Sequence, residues 1–343
     1  MKLYNVAIAG ATGAVGAEFI RLLESRPFPL GQVKLLASAR SAGKTLRVCG
    51  KDLLVEELTE SCFENVDIAF FSAGGSRSKA FAQAAVKSGA LVIDNSSAFR
   101  MDPNVPLVVP EINPEDIGWH NGIIANPNCS TIIMLMAVAP LRKLGKIRRI
   151  VVSTYQAASG AGAAAMQELT DQTGRALRDE PLEPAIFPHP IAFNLFSHNT
   201  AIDETGYNEE ERKMIYESRK ILHEDDLPIT ATCIRVPILR AHSESINVEF
   251  ESGRPSILAI REALAAFPNV RVVDDREANY FPMPLEATGI DETLVGRIRA
   301  DLSNPNAIDM FVCGDQILKG AALNGFQIAE KWIEMGAPAA QLK

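Results

Sequence analysis

Tyr4-Asn-Val-Ala-Ile-Ala9 runs straight into Gly10-Ala-Thr-Gly13-Ala-Val-Gly16. A short apolar run, then three evenly spaced glycines, then helical periodicity through Val15, Phe19, Leu22 and Leu23 predict a strand, a tight turn and a helix. Glycines in such a turn let backbone N–H groups approach an anion closely, and the helix start adds partial positive charge. The spacing is Gly-x-x-Gly-x-x-Gly rather than the commoner Gly-x-Gly-x-x-Gly. By itself it reads either as a dinucleotide-binding loop or as a plain tight connection. Its place between a strand and a helix favours the first.

Outward from this unit, Val33–Ala37, Ile68–Phe71, Leu91–Asp94 and Gly122–Ala125 repeat the short apolar run, with a helical stretch at Ser78–Lys87. Strands alternating with helices predict a parallel sheet covered on both faces. The end of the second strand bears on the ligand. A unit that binds NAD usually places Asp or Glu there for the ribose 2′-hydroxyl. Here the strand runs into Ser38-Ala39-Arg40-Ser41, with Lys44 beyond and no carboxylate. Arg with hydroxyl donors suits a 2′-phosphate, so NADP is expected over NAD.

After about residue 127 the pattern changes. Thr131–Leu144 predicts a long apolar helix, Ile150–Tyr155 a strand, Glu209–Leu222 an amphipathic helix and Gly320–Met335 a closing helix. Ile246, Val248 and Phe250 alternate with polar residues, as in a mixed or antiparallel sheet with one covered face. Pro181, Pro184, Pro188 and Pro190 exclude regular helix or central strand between them. A chain of 343 residues with these two patterns is expected to form two domains.

Asn126-Pro127-Asn128-Cys129-Ser130-Thr131 carries helix-start signals ahead of the apolar helix. Cys129 in a first helical turn would sit at the positive end of the dipole, where a thiolate is favoured and can act as a nucleophile. The competing reading is a small buried hydrophobe. Cys233 and Cys313 lie in strand-like segments and Cys49 beside a loop glycine, so Cys129 alone has this setting. Arg235, Arg240 and His242 cluster around a strand–loop junction, where two guanidiniums suggest a carboxylate or phosphate site and the imidazole a proton-handling group.

Composition narrows the function. Lys and Arg number 34 against 42 Asp and Glu, a net charge of −8, with no run of five basic residues. Nucleic acid and anionic membrane are therefore not expected partners. No apolar stretch approaches a membrane span, and the N-terminal apolar run is too short for a signal peptide, so the cytoplasm is the expected location. Five widely spaced cysteines without a Cys-x-x-Cys pair make disulfides and a structural zinc site unexpected, and no metal is expected.

Taken together, Gly-Ala-Thr-Gly-Ala-Val-Gly at 10–16, Asn-Pro-Asn-Cys-Ser-Thr at 126–131, Tyr-Gln-Ala-Ala-Ser-Gly-Ala-Gly at 155–162, Arg-Val-Pro-Ile-Leu-Arg-Ala-His-Ser-Glu at 235–244 and Lys-Gly-Ala-Ala-Leu-Asn at 319–324 resemble the aspartate-β-semialdehyde dehydrogenase family. The resemblance implies an α/β fold: an N-terminal Rossmann-like NADP-binding domain, residues 1–127 and 323–343, plus an α+β catalytic and dimerisation domain with a mixed sheet, residues 128–322. It implies NADPH-dependent reduction of L-aspartyl-4-phosphate to L-aspartate 4-semialdehyde with release of phosphate, on the way to lysine, threonine, methionine and diaminopimelate, by a homodimer. Cys129 resembles the nucleophile that forms a thioester, His242 the acid/base at the thiohemiacetal oxygen, Arg235 the clamp on the substrate carboxylate, and Gln156 an orienting amide. Arg100 and Asn128 resemble phosphate contacts, and Glu210 with Lys213 the pair that contacts substrate amine and phosphate. Choosing Glu210 among Glu209, Glu210 and Glu211 rests on its spacing from Lys213. Gly10, Thr12, Gly13, Ala14, Val15 and Gly16 resemble the pyrophosphate turn. Arg40 and Ser41 resemble the 2′-phosphate site, and Ser159, Gly160 and Gln316 the nicotinamide end. N-acetyl-γ-glutamyl-phosphate reductase shares the chemistry, but the Cys129 and His242 motifs favour the aspartyl enzyme. A glyceraldehyde-phosphate dehydrogenase would carry the acidic residue that the second strand lacks. A catalytically silent NADP-binding sensor would have no need to retain Cys129, His242 and Arg235.

Overall fold

The computed structural model describes residues 2–340. The chain divides into two units, Met1–Asn128 with Ala321–Lys343, and Cys129–Gly320.

The first unit is built on β1 (Tyr4–Ala9), β2 (Leu30–Ala37), β3 (Thr45–Val48), β4 (Lys51–Glu57), β5 (Ile68–Phe71), β6 (Leu91–Asp94) and β7 (Ile123–Ala125). They form one sheet in the order β3-β4-β2-β1-β5-β6-β7. Every pairing is parallel except β3 with β4. Buried on both faces, β5 and β6 can afford no polar residue but the terminal Asp94. Strand order reverses at β1, which has β2 on one side and β5 on the other. That reversal is where an open α/β sheet leaves a crevice for a ligand, and the glycine turn between β1 and α1 (Ala14–Ser25) sits there. The C-terminal helix, Leu323–Glu334, returns to this unit: Phe326 lies 5.0 Å from Phe28 and 6.0 Å from Phe70, which stacks on Phe19 of α1.

Sequence periodicity does not reveal the β3–β4 hairpin. Both strands are largely exposed, so neither carries a clean apolar alternation. The connection is a tight two-residue turn at Cys49-Gly50, both with positive φ, +47° and +76°. That conformation matches the twist of a hairpin, and glycine takes it without strain.

The first unit also carries α2 (Gly75–Lys87), and the second α4 (Ala163–Ala176). The second unit opens with α3 (Cys129–Val138), whose residues from Ser130 to Val138 are all buried. The helix is shorter than the expected Thr131–Leu144. Pro140 has no N–H to continue the ladder, and the chain tightens into a 3₁₀ segment at Ala139–Lys143. The strands are β8 (Ile147–Gln156), β9 (Phe196–Ser197), β10 (Ile229–Arg235), β11 (His242–Phe250), β12 (Val270–Val272), β13 (Thr293–Ala300) and β14 (Ala307–Gly314). Their order is β12-β13-β14-β11-β8-β10-β9, with β8·β10 and β12·β13 parallel and the other pairs antiparallel. One face of β10 and β11 is covered by α3 and α5 (Glu209–Leu222). The alternation read at Ile246, Val248 and Phe250 extends back along β11 to His242, which shares the buried face. The expected closing helix at 320–335 begins as a π turn, Leu318–Ala322, before becoming α-helical. Among the described residues, no helix is long and apolar enough to cross a membrane.

Candidate active site

Three strands of the second sheet bring three candidate side chains to one level. Arg235, at the end of β10, pairs with Gln156, at the end of β8. On the other side of β8 the ladder pairs Ser243 with Tyr155, so His242, which opens β11, stands level with Gln156. All three are buried. Cys129 is the first residue of α3 and is half-buried. Its thiol lies close enough to Arg235 for the guanidinium to feel its charge. The competing cysteines are unsuited to anion chemistry: burial pushes the Cys233 thiol up and the Cys313 thiol up to about 12.

The protonation of His242 follows from its partners. Its Nδ1 accepts the Ala157 N–H at 3.0 Å, so the neutral ring carries its proton on Nε2. Nε2 is buried and bonds to no other protein atom. Burial, and then the Arg235 charge, lower the imidazole pKa to about 3, which keeps the ring neutral at pH 7. The site therefore offers an N–H donor, held in direction by a backbone amide.

Gln156 donates to Ser130 Oγ at 2.7 Å and to Glu210 Oε1 at 3.1 Å. Lys213, one turn along α5, reaches Glu210 Oε2 at 3.3 Å and Glu209 Oε1 at 3.0 Å. The three consecutive glutamates have different surroundings. Glu209 is exposed, Glu211 closes a capping box with Asn208 and accepts Cys233 N–H, and Glu210 is the one that meets Gln156. Arg235 Nη1 donates to Ala157 O at 3.3 Å and the guanidinium lies 5.9 Å from the centre of the Phe187 ring. Gly160 faces both: a Cβ there would lie 2.9 Å from Arg235 Nη1 and 3.3 Å from His242 Nε2. Ser159 is buried and accepts a bond from Gln316 Nε2. Arg240 does not join Arg235. It is turned to Asp315, with Nε 2.7 Å from Oδ2, so the expected pair of guanidiniums does not face one ligand.

In the first unit the candidate cofactor residues are mostly backbone. Gly10 has φ +96°, and a Cβ on it would lie 2.3 Å from Ser72 O; on Gly16 it would lie 2.3 Å from Gly10 O. Gly13 precedes α1 without a side-chain cap, Thr12 is exposed, and Ala14 and Val15 are half-buried. This turn, with the helix start behind it, fits a pyrophosphate. Beyond β2, Arg40 is exposed and Ser41 buried, its N–H bonded to Ser38 O at 2.8 Å. Arg100 is buried, donating from Nε to Asn126 O at 2.9 Å and from Nη2 to Asn95 O at 3.0 Å, and Asn128 is buried just before Cys129. Among the described residues, no group of three or more His, Cys, Asp or Glu could hold a metal ion.

Comparison with known proteins decides the family. The model for the semialdehyde dehydrogenase NAD-binding domain matches residues 5–120, and that for the semialdehyde dehydrogenase dimerisation domain matches 138–319. An aspartate-semialdehyde dehydrogenase of Synechocystis is 56% identical over 97% of this chain and 98% of its own length. One from Prochlorococcus marinus is 50% identical over 95% of each. The crystal structure of aspartate semialdehyde dehydrogenase II from Vibrio cholerae, complexed with ASA, superposes with a TM-score of 0.94 at 42% identity, covering 97% of this chain and 99% of that one. The chain belongs to the aspartate-semialdehyde dehydrogenase family.

This member of the aspartate-semialdehyde dehydrogenase family also holds neighbours that sequence reading did not single out. His198 is buried, its backbone N–H donating to Cys233 O at 2.8 Å, and it lies near enough to Glu210, Arg235 and Lys213 to feel their charges. Burial lowers its pKa to about 4. An isolated histidine in a loop gives no signal of such company. Glu244 lies two residues along β11 from His242 and is wholly buried. Burial alone holds its carboxyl well above the usual carboxylate range. Asp315 likewise stands outside every motif except its nearness to Lys319-Gly-Ala-Ala-Leu-Asn324.

Proposed function

We propose that this chain reduces L-aspartyl-4-phosphate to L-aspartate 4-semialdehyde with NADPH, releasing phosphate, through a thioester on Cys129. The observation that carries the reading is the single row of Arg235, Gln156 and His242, with Arg235 within electrostatic reach of the cysteine that opens α3. The Cys129 thiolate attacks the acyl-phosphate carbonyl and phosphate leaves with the bond electrons. Bound NADPH would supply the hydride for the thioester carbon. The oxygen that becomes anionic meets His242 Nε2–H, and its collapse re-forms C=O and expels the thiolate. That cycle regenerates the thiolate without a proton leaving the imidazole, which suits a ring whose Nδ1 already accepts a bond and whose pKa lies near 3. In this reading His242 serves more as an oxyanion donor than as a base.

Arg235 holds the substrate carboxylate, Gln156 orients it, and Glu210 with Lys213 meets the amine and phosphate. Arg100 and Asn128 are assigned to the phosphate by family likeness. The turn Gly10, Thr12, Gly13, Ala14, Val15 and Gly16 holds the pyrophosphate. Arg40 and Ser41, with no carboxylate between Ser38 and Lys44, favour NADP over NAD. Ser159, Gly160 and Gln316 are assigned to the nicotinamide end. The enzyme works as a cytoplasmic homodimer in the route to lysine, threonine, methionine and diaminopimelate, with no nucleic-acid partner.

Phosphate-dependent reduction of NADP by aspartate semialdehyde tests this reading. The native chain turns over, and Cys129→Ala loses turnover by on the order of 10³-fold or more while binding NADPH as before. Absence of activity with the native chain, or activity retained by Cys129→Ala, overturns it.

A further inference from the structure

One short segment touches the surroundings of both reacting side chains in the second unit. It runs from Asp315 to Gly320, from the end of β14 into the π turn. Asp315 is fully buried and ties the neighbourhood together. Its Oδ2 accepts from Arg240 Nε at 2.7 Å and from Gly289 N at 2.7 Å. Its Oδ1 accepts from Ile317 N at 3.0 Å and Leu318 N at 3.2 Å, and its carbonyl from Gly320 N at 3.1 Å. Gln316 is engaged at both ends of its amide: Oε1 accepts Ala241 N–H at 2.9 Å and Nε2 donates to Ser159 Oγ.

Consecutive residues of the segment thus hold consecutive residues Arg240 and Ala241. Ala241 has φ +71°, a left-handed conformation that is costly for a non-glycine residue and persists only where its surroundings enforce it. It is the residue immediately before His242, so its conformation sets the direction in which β11 starts. At the far end of the segment Gly320 lies against the nucleophile. A Cβ there would be 2.9 Å from Cys129 Cβ, 3.2 Å from Cys129 Cα and 3.4 Å from Gln316 Cβ.

We propose that Asp315, Gln316 and Gly320 are positioning residues that fix His242 and Cys129 relative to each other, Asp315 and Gln316 by enforcing the left-handed turn at Ala241 and Gly320 by direct contact with Cys129. This rests on the assignment of Cys129 and His242 made above. For Gln316 this is a task beside the nicotinamide contact proposed above.

The experiment uses the full-length chain with three variants, each monitored by circular dichroism. Gln316→Leu keeps the volume and removes both amide bonds; Asp315→Asn keeps the shape and removes the carboxylate from Arg240. Each is expected to lower kcat about 10²-fold, the effect of roughly 1 Å of misplacement, with KM for aspartate semialdehyde and phosphate within about twofold and, in Asp315→Asn, KM for NADP within about twofold as well. Alkylation of Cys129 by iodoacetamide keeps its native rate in Gln316→Leu and changes severalfold in Gly320→Ala. An unchanged kcat in Gln316→Leu overturns the hold on His242, as does, in Asp315→Asn, a rise in KM for NADP matching the loss of kcat. An unchanged alkylation rate in Gly320→Ala overturns the contact with the nucleophile. Should Asp315→Asn fail to fold, Gln316→Leu decides that half alone. Alkylation needs no substrate, so a native chain inactive on aspartate semialdehyde would sink the proposed reaction while leaving the Gly320 arm readable.

Discussion

Two glycines of the first unit and two of the second do opposite work. In the first, Gly10 and Gly16 make room for backbone: an added methyl would strike Ser72 O and Gly10 O at 2.3 Å. In the second, Gly160 and Gly320 make room for reactive side chains, Arg235 and Cys129, at 2.9 Å. The first kind of site is a path of main chain that any sequence with glycines at the right places can adopt. The second is a convergence of side chains from β8, β10, β11, α3 and α5, with small residues left where those side chains need space. Loss of Gly10 or Gly16 should therefore damage folding, and loss of Gly160 or Gly320 chemistry.

The sharpest way to break that contrast is Gly160→Val beside Gly10→Val. Gly160 is exposed and its φ is ordinary, so its replacement should leave the melting temperature within a few degrees while lowering kcat about 10²-fold by crowding Arg235 and His242. Gly10→Val, at φ +96° and against a carbonyl, should instead yield little folded protein. If thermal melts show Gly160→Val as the unstable partner, the contrast is wrong. A smaller effect is expected from Arg40→Ala. Titration with both dinucleotides should show NADP binding weakened about tenfold, the scale of one charge-assisted bond, and NAD binding unchanged. Equal weakening of both would remove Arg40 from the 2′-phosphate.

The gentlest test uses pH. His242 and His198 are lowered to about 3 and about 4 in the folded chain, burial being the main cause, and rise to the ordinary value near 6.5 on unfolding. Between these values the unfolded chain binds more protons, so stability falls as pH drops below about 6.5. The melting temperature should decline by several degrees from pH 7 to pH 5, and less steeply in His242→Gln. Turnover should show no limb near pH 6.5 from His242, because that ring is neutral throughout. An unchanged slope in the variant would mean that His242 is not held neutral.

The backbone-built unit was the easier one to read in the sequence. Its strand–turn–helix start and alternating elements follow from residues that are neighbours along the chain. The β3–β4 hairpin escaped because its strands are exposed and its turn needs an unusual conformation at Cys49. Of the side-chain site, helix-start chemistry pointed to Cys129 and a basic cluster to Arg235 and His242, while the other members were legible only through motifs that match a known family. Arg235, Gln156 and His242 become a row through strand register, which periodicity does not reveal. The nearness of Arg240 to His242 in sequence suggested a second anion-binding guanidinium. Its partner Asp315 lies 75 residues away, and no local pattern announces it. His198 was invisible for the same reason.

The return of the C-terminal helix has a consequence for synthesis on the ribosome. Asn324 donates to Asn126 Oδ1 at 2.7 Å and to Val108 O at 2.9 Å, and Phe326 fills the space between Phe28 and Phe70. These residues are translated after the whole of 129–320, yet they complete a core begun by residues ahead of that stretch. The first unit must therefore wait, partly assembled and with Phe70 stacked on Phe19 but lacking Phe326, while the entire intervening unit emerges. A nascent chain stalled before residue 323 would carry an unfinished hydrophobic interior, a natural point of capture for a chaperone.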